Sequence, residues 1–229
     1  MTANIIATGS SGNATILNDH ILIDCGVSMK SLRPYIKELD IVLLTHQHSD
    51  HFKPSTVYGL HRARPSLRFA CCSWMIPFLT EAGVRPRSID TLDAWKWYRV
   101  CGAIVSPFPL VHNVPNCGWV IQDGRETALY ATDTGSMDGI SFPGLDLYLI
   151  EANHTEEEIE TRAAAKIEAG IYSYEAAAAV NHLSREQALE WLSQNMDRHS
   201  RYVFMHQHTD HGGNQNHAEQ DNKGDDPHI

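Results

Sequence analysis

Ile41-Val42-Leu43-Leu44-Thr45-His46-Gln47-His48-Ser49-Asp50-His51 is the stretch on which the reading of this chain turns. Ile41–Leu44 is a short continuous apolar run, the pattern of a strand buried on both faces. Directly behind it stand four potential metal ligands, His46, His48, Asp50 and His51. Residues two apart in a loop can aim their imidazoles at one cation. Asp50 and His51 come next, where the loop can enter a helix, and can turn to a second cation. Neutral imidazole nitrogen and carboxylate oxygen suit zinc, manganese or iron. A lone histidine is most often an ordinary surface residue. Four ligand-type residues at this spacing, on the end of a buried strand, reverse that balance in favour of metal.

Upstream, Asn4–Ala7, Ala14–Leu17 and His20–Asp24 read as strands joined by Gly- and Asn-bearing turns, followed by a helix over Ser28–Glu38. Downstream, Leu67–Cys71 reads as a strand and Ser73–Ala82 as a helix. Trp95–Val100, Ala103–Pro107, Gly118–Gln122, Thr127–Ala131 and Leu145–Ile150 read as strands, with Asp123-Gly124 as a hairpin turn. Thr155-x-x-Glu158 and Ser184-x-x-Gln187 match the capping box, in which two side chains satisfy each other's exposed backbone donors. They open helices over Glu156–Ala169 and Ser184–Gln194; Ala176–Val180 is helical, and Arg201–Met205 is a last strand. Strands interleaved with helices and hairpins imply two packed sheets covered by helices, an α/β fold over residues 1–211. Residues 212–229 are polar and cannot bury enough apolar surface to order themselves, so they are expected to be a disordered tail.

The length of 229 residues allows a substantial single core. Five cysteines without a Cys-x-x-Cys pair argue against a disulfide framework or a cysteine zinc site. No apolar stretch is long enough to cross a bilayer, and the start shows no basic segment followed by an apolar run. The cytosol is the expected compartment. A net charge of −10 is opposite in sign to a simple basic nucleic-acid binder, although two divalent cations would offset part of it locally.

His46-x-His48-x-Asp50-His51 resembles the signature of the metallo-β-lactamase superfamily. That resemblance implies a four-layer αβ/βα sandwich of two mixed sheets with outer helices, and a site for two divalent metal ions, zinc or manganese, at one edge. It implies His112 as the third histidine of the first metal, Asp133 as a carboxylate bridging both, and His206 as the last ligand of the second. His208 and His211 lie close to His206 in sequence, so His208 is the competing ligand there. Gly9-Ser10-Ser11-Gly12-Asn13, Leu22-Ile23-Asp24-Cys25-Gly26, Glu151-Ala152-Asn153-His154 and His182-Leu183-Ser184 are similar to segments of the small bacterial walJ-type DNA exonucleases, which share a design with RNase Z. By that resemblance His182 is not a ligand but faces the scissile phosphate. In the expected mechanism Asp50 also orients the attacking hydroxide through its free oxygen. Ser10, Ser11 and Asn13 could donate to a phosphate or form an ordinary turn. Trp95, Trp97 and Tyr98 could stack bases, with edge-strand packing the more common role.

The expected function is metal-dependent hydrolysis of a phosphodiester in DNA or RNA by a hydroxide formed at a dinuclear centre. Hydrolysis of a small ester, thioester or lactone is the alternative, since one fold hosts many chemistries. A non-catalytic metal-binding scaffold is the third. No membrane association is expected, and the chain carries no signal for a protein partner.

Overall fold

Alternate residues of the buried strands face two different cores, and this gives the molecule its layers. Ile21, Ile23, Ile41 and Leu43 of one sheet meet Val105, Trp119, Ile121, Tyr130 and Leu149 of the other in a central core. Their neighbours Leu22, Val42 and Leu44 point outward and pack with Leu32, Val57, Leu60 and Leu79. On the far side, Val120, Leu129, Tyr148 and Ile150 pack with Ala188, Trp191 and Leu192. Burying one such side chain contributes about 1.5–3 kcal/mol. Polar substitution is therefore costly on either face of these strands.

The computed structural model describes residues 1–159, 161 and 180–207. The first sheet runs in the order β1 (Ala3–Ala7), β2 (Ala14–Leu17), β3 (Ile21–Ile23), β4 (Ile41–Leu43), β5 (Arg68–Cys71) and β6 (Ile89–Thr91). The second runs from β12 (Arg201–Met205) through β11 (Leu147–Glu151), β10 (Glu126–Ala131), β9 (Asn116–Asp123) and β8 (Ala103–Leu110) to β7 (Tyr98–Val100). Each sheet combines antiparallel and parallel pairs. Helices α1 (Met29–Leu32), α2 (Pro54–Ala63) and α3 (Ile76–Glu81) supply the outer layer of the first sheet, and α4 (Arg185–Asn195) covers the second. This is the αβ/βα sandwich of mixed sheets that the resemblance implies.

Strand direction gathers the site. β10, β11 and β12 are mutually parallel, and β8 shares their sense because two antiparallel steps separate it from β10. Their C-terminal ends therefore lie along one edge, where the loop after β4 also emerges.

The structure departs from the expected elements in five places. The strand expected over Trp95–Val100 is a strand only at Tyr98–Val100, because Trp95 sits in a turn with φ of 64°. The helix expected over Ser28–Glu38 is helical only at Met29–Leu32, because Pro34 has no N–H to continue the ladder. Helix α2 and strand β6 were not expected. Strand β8 continues through Pro107 and Pro109, past the end of its pairing with β7 at Val105, where a missing N–H costs no ladder bond on that side. The helices expected over Glu156–Ala169 and Ala176–Val180 lie largely outside the described residues, as do His208, His211 and the tail expected at 212–229. Among the described residues no helix is long and apolar enough to cross a membrane.

Candidate metal centre

The backbone turns sharply where the strands end. Asp24 follows β3, Asp133 follows β10 and His206 follows β12, and all three hold positive φ, at 58°, 57° and 51°. Such a conformation costs a non-glycine residue about 1–3 kcal/mol and persists where surrounding contacts enforce it. Here they do. The Asn116 amide donates to the Thr132 and Asp133 carbonyls, and the His206 N–H donates to Thr8 Oγ1 at 2.7 Å. Two glycines permit the loops to meet. A Cβ on Gly26 would lie 1.7 Å from the Asp50 carbonyl oxygen, and one on Gly135 would lie 1.8 Å from that of Val180.

The loops bring together all eight residues singled out for the site. His46, His48 and His112 form one group and Asp50, His51, Asp133 and His206 a second, with the ligand atoms of each group within 4.8 Å of one another. His46 Nε2 and His112 Nε2 lie 3.1 and 3.3 Å from His48 Nδ1. Nitrogens around a tetrahedral zinc, at about 2.0 Å from it, stand about 3.3 Å apart. In the second group, His51 Nε2 is 2.7 Å from Asp133 Oδ2 and 3.7 Å from Asp50 Oδ2, and His206 Nε2 is 3.8 Å from Asp50 Oδ2. Asp133 Oδ2 is buried and accepts no aligned hydrogen bond despite the close His51 nitrogen. A buried carboxylate oxygen without a donor, facing imidazole nitrogens, fits a cation better than it fits a folded-core contact.

The surrounding polar groups orient these rings. His46 Nδ1 donates to Thr45 Oγ1 at 3.0 Å, and the Thr45 hydroxyl in turn donates to Asp24. His51 Nδ1 donates to Asp24 Oδ2 at 2.7 Å, His112 Nδ1 to the Asn181 carbonyl at 3.4 Å, and His206 Nδ1 to Glu151 Oε1 at 2.8 Å. Each bond leaves Nε2 as the ligand atom, the arrangement by which outer groups fix the tautomer of metal-binding histidines. The Asn13 amide is 2.8 Å from His51 Nε2 and ties the Asp50 loop to the first turn of the chain.

Electrostatics divide the two groups. Burial and the neighbouring His51 charge push His46 down to about 2, and burial also lowers His112, so these two rings favour the neutral form. Burial would lower His51 and His206 as well, but the carboxylates of Asp133 and Asp24 hold His51 well up, and Glu151 with Asp133 holds His206 up. Asp133 is held down, against its burial, by His51, His206 and His46.

His182 stands beside both groups, its ring 5.6 Å from that of His112 and 5.2 Å from that of His206. Its Nδ1 donates to Glu151 Oε1 at 2.7 Å, the same oxygen that accepts from His206. Asp133, Glu151, His182 and His206 also satisfy a ligand-group geometry. The short Glu151 contacts already use both Nδ1 atoms, so this third group is a hydrogen-bonded set. Asp24 and Glu151 were not among the expected site residues. Each is an acidic residue on the end of an apolar strand, the same signal that marks His46. Trp95 and Trp97 are more than half exposed beside the β7 edge, where Trp95 stacks on Phe142. Tyr98 accepts a bond from the Asp93 N–H there.

A family model described as the beta-lactamase superfamily domain matches residues 19–207. Exodeoxyribonuclease WalJ of Streptococcus pneumoniae serotype 2 is 27% identical over 224 residues, covering 88% of this chain and 79% of that protein. Among solved structures, the metallo-β-lactamase fold protein YhfI from Bacillus subtilis is similar with a TM-score of 0.68 and 16% identity, covering 90% of this chain and 85% of that one. The short form of human tRNase Z also gives 0.68, at 15% identity, covering 90% and 93%.

Proposed function

The chain belongs to the β-lactamase superfamily, and from that premise we propose that it is a metal-dependent phosphodiesterase acting on DNA or RNA. The observation that carries this reading is the placement of His182. Its Nδ1 is held by buried Glu151, and its ring stands against both ligand groups without belonging to the first two. A histidine so held has Nε2 available to donate to, or take a proton from, an oxygen of a bound phosphate. The likeness to proteins named exodeoxyribonuclease and tRNase Z supports a polynucleotide as the substrate.

In this reading His46, His48 and His112 would hold one cation, Asp50, His51 and His206 would hold the other, and the Asp133 carboxylate would serve both. Zinc and manganese both suit this nitrogen and oxygen donor set. Bound there, a pair of divalent cations supplies water activation at neutral pH and Lewis acidity toward a phosphoryl oxygen. Asp50, partly exposed at the mouth, orients the attacking water through its free oxygen. Glu151 keeps His182 in one tautomer and balances its charge when the ring carries two protons. His182 then gives a proton to the leaving oxygen. A reducing cytosol fits the five free thiols.

The net charge of −10 favours the second reading, a small ester, thioester or lactone. Purified protein loaded with Mn²⁺ or Zn²⁺ should be tested on 5′-labelled single-stranded DNA, on RNA and on a thioester. Cleavage of a polynucleotide is expected. Turnover of the thioester alone would select the second reading, and metal uptake without any turnover would leave a metal-binding scaffold.

A further inference from the structure

Beside the metal centre lies a cleft of about 250 Å³ whose walls include Ser10, Ser11, Ser49, Asp50 and Lys53. Asp50 belongs to this cleft and to the second ligand group, so the two share a wall. Nothing in the metal chemistry uses the other four residues. Among the described residues, the Ser10, Ser11 and Ser49 hydroxyls and the Lys53 ammonium make no hydrogen bond or ion pair.

The turn that presents two of these serines is rigidly mounted. Gly9 and Gly12 hold φ of 103° and 146°, which side chains rarely adopt, and the Gly12 N–H closes the turn on the Gly9 carbonyl at 2.9 Å. The Gly9 N–H donates to Asn13 Oδ1 at 2.9 Å, and the Asn13 N–H donates to the Asp50 carbonyl at 2.6 Å. Among the described residues, the Ser10 and Ser11 N–H groups, between the two glycines, have no backbone acceptor. In the same cleft, Lys53 immediately precedes the ten-residue helix α2, which begins at Pro54, and gives its first turn no side-chain cap. Unused hydroxyls, free backbone N–H groups, an ammonium and an uncapped helix start all favour one class of ligand, an oxyanion. Asp50 is the acidic wall residue, and its charge is the one the metal centre engages.

We propose that the Ser10-Ser11 turn, Ser49 and Lys53 form a subsite for a second phosphate of the substrate, next to the phosphate being cleaved. This rests on the phosphodiesterase reading above. The second phosphate is either a terminal phosphomonoester or the neighbouring internal diester. The chain is strongly acidic, so this local donor set, rather than a general basic surface, sets the grip on a polynucleotide.

The test uses the full metal-loaded chain with three substrates. They are an oligodeoxynucleotide with phosphorylated ends, the same strand with hydroxyl ends, and bis(p-nitrophenyl) phosphate, which has only one phosphate. Lys53→Ala is expected to raise KM for the oligonucleotide about five- to tenfold, and to lower its kcat/KM relative to that for the small diester by a similar factor. The slope of log KM against log salt should flatten by about 0.7, the contribution of one phosphate contact on a single strand. Lys53→Arg should restore both. Ser10→Ala with Ser11→Ala should raise KM in the same direction. A penalty confined to the phosphorylated strand assigns a terminal phosphate, and an equal penalty on both strands assigns an internal one. Equal losses on oligonucleotide and small diester, or an unchanged salt slope, overturn the subsite alone. Wild-type protein that cleaves neither substrate overturns the phosphodiesterase reading, and the subsite falls with it.

Discussion

His51 Nδ1 lies 2.7 Å from Asp24 Oδ2, with both side chains wholly out of solvent. Burial raises the Asp24 carboxyl, and His51 works against that rise. Through Thr45 the same carboxylate also fixes His46, so one acidic group supports a ligand in each cluster. Asp24→Asn should weaken metal binding by about 10–100-fold. Titration of metal-stripped protein with Zn²⁺ measures this, and wild-type affinity in the variant would show that Asp24 only stabilises the fold.

Glu151 holds His182 and His206 through one carboxylate oxygen. Glu151→Gln keeps the shape and removes the charge. Turnover should fall about 100-fold, the scale of a mis-set proton donor. Among the described residues no hydrogen bond or ion pair joins Glu151 to His46, His48 or His112, so the first cluster should keep its metal. Equal loss of metal from both clusters would mean that Glu151 holds the whole loop assembly together.

Gly26 sits against the Asp50 peptide, where a Cβ would come within 2.1 Å of the carbonyl carbon. The backbone cannot yield as a flexible side chain would. Gly26→Ala should cost about 3 kcal/mol and displace Asp50 and His51. Thermal unfolding of the metal-free variant measures the first effect, and metal content the second. A wild-type melting temperature would show that the loop has slack.

Asp146 Oδ2 accepts the Thr127 N–H at 2.7 Å and its hydroxyl at 2.9 Å, and these bonds hold the carboxyl below the usual aspartate value. A depressed folded-state pKa adds stability that is fully present above the unfolded value, near 4, and is lost as pH falls through the folded one. Asp146→Ala should therefore lose about 1 kcal/mol at pH 7 and progressively less in stronger acid. Denaturant unfolding of both proteins across pH checks this. A difference that stays constant down to the lowest pH would rule out the charge as its source.

How much of this could be read from the chain depends on whether the chemistry is local. The Ile41–His51 stretch carries a buried strand and four ligand residues together, so it identifies its own role. His112, Asp133 and His206 come from separate strands. They became readable through the resemblance, because convergence is a property of strand direction and not of any one segment. Helix α2 has a weak sequence signal because Thr56, Val57 and Gly59 are poor helix formers, although Pro54 is a known start signal at the first helical position. Strand β6 is three residues long, too short for alternation to show. Asp24 and Glu151 carry no local signal of a site role beyond their place at a strand end, because their hydrogen bonds reach other side chains across 27 and 31 residues of sequence.

Metal stoichiometry tests the dinuclear assignment most directly. Full-length protein saturated with Zn²⁺ or Mn²⁺, freed of excess metal and analysed by mass spectrometry, should carry two ions per chain. His46→Ala and His206→Ala should each retain one, and neither should cleave DNA or RNA. A single ion in the wild type, or two ions still bound in His206→Ala, would contradict the account.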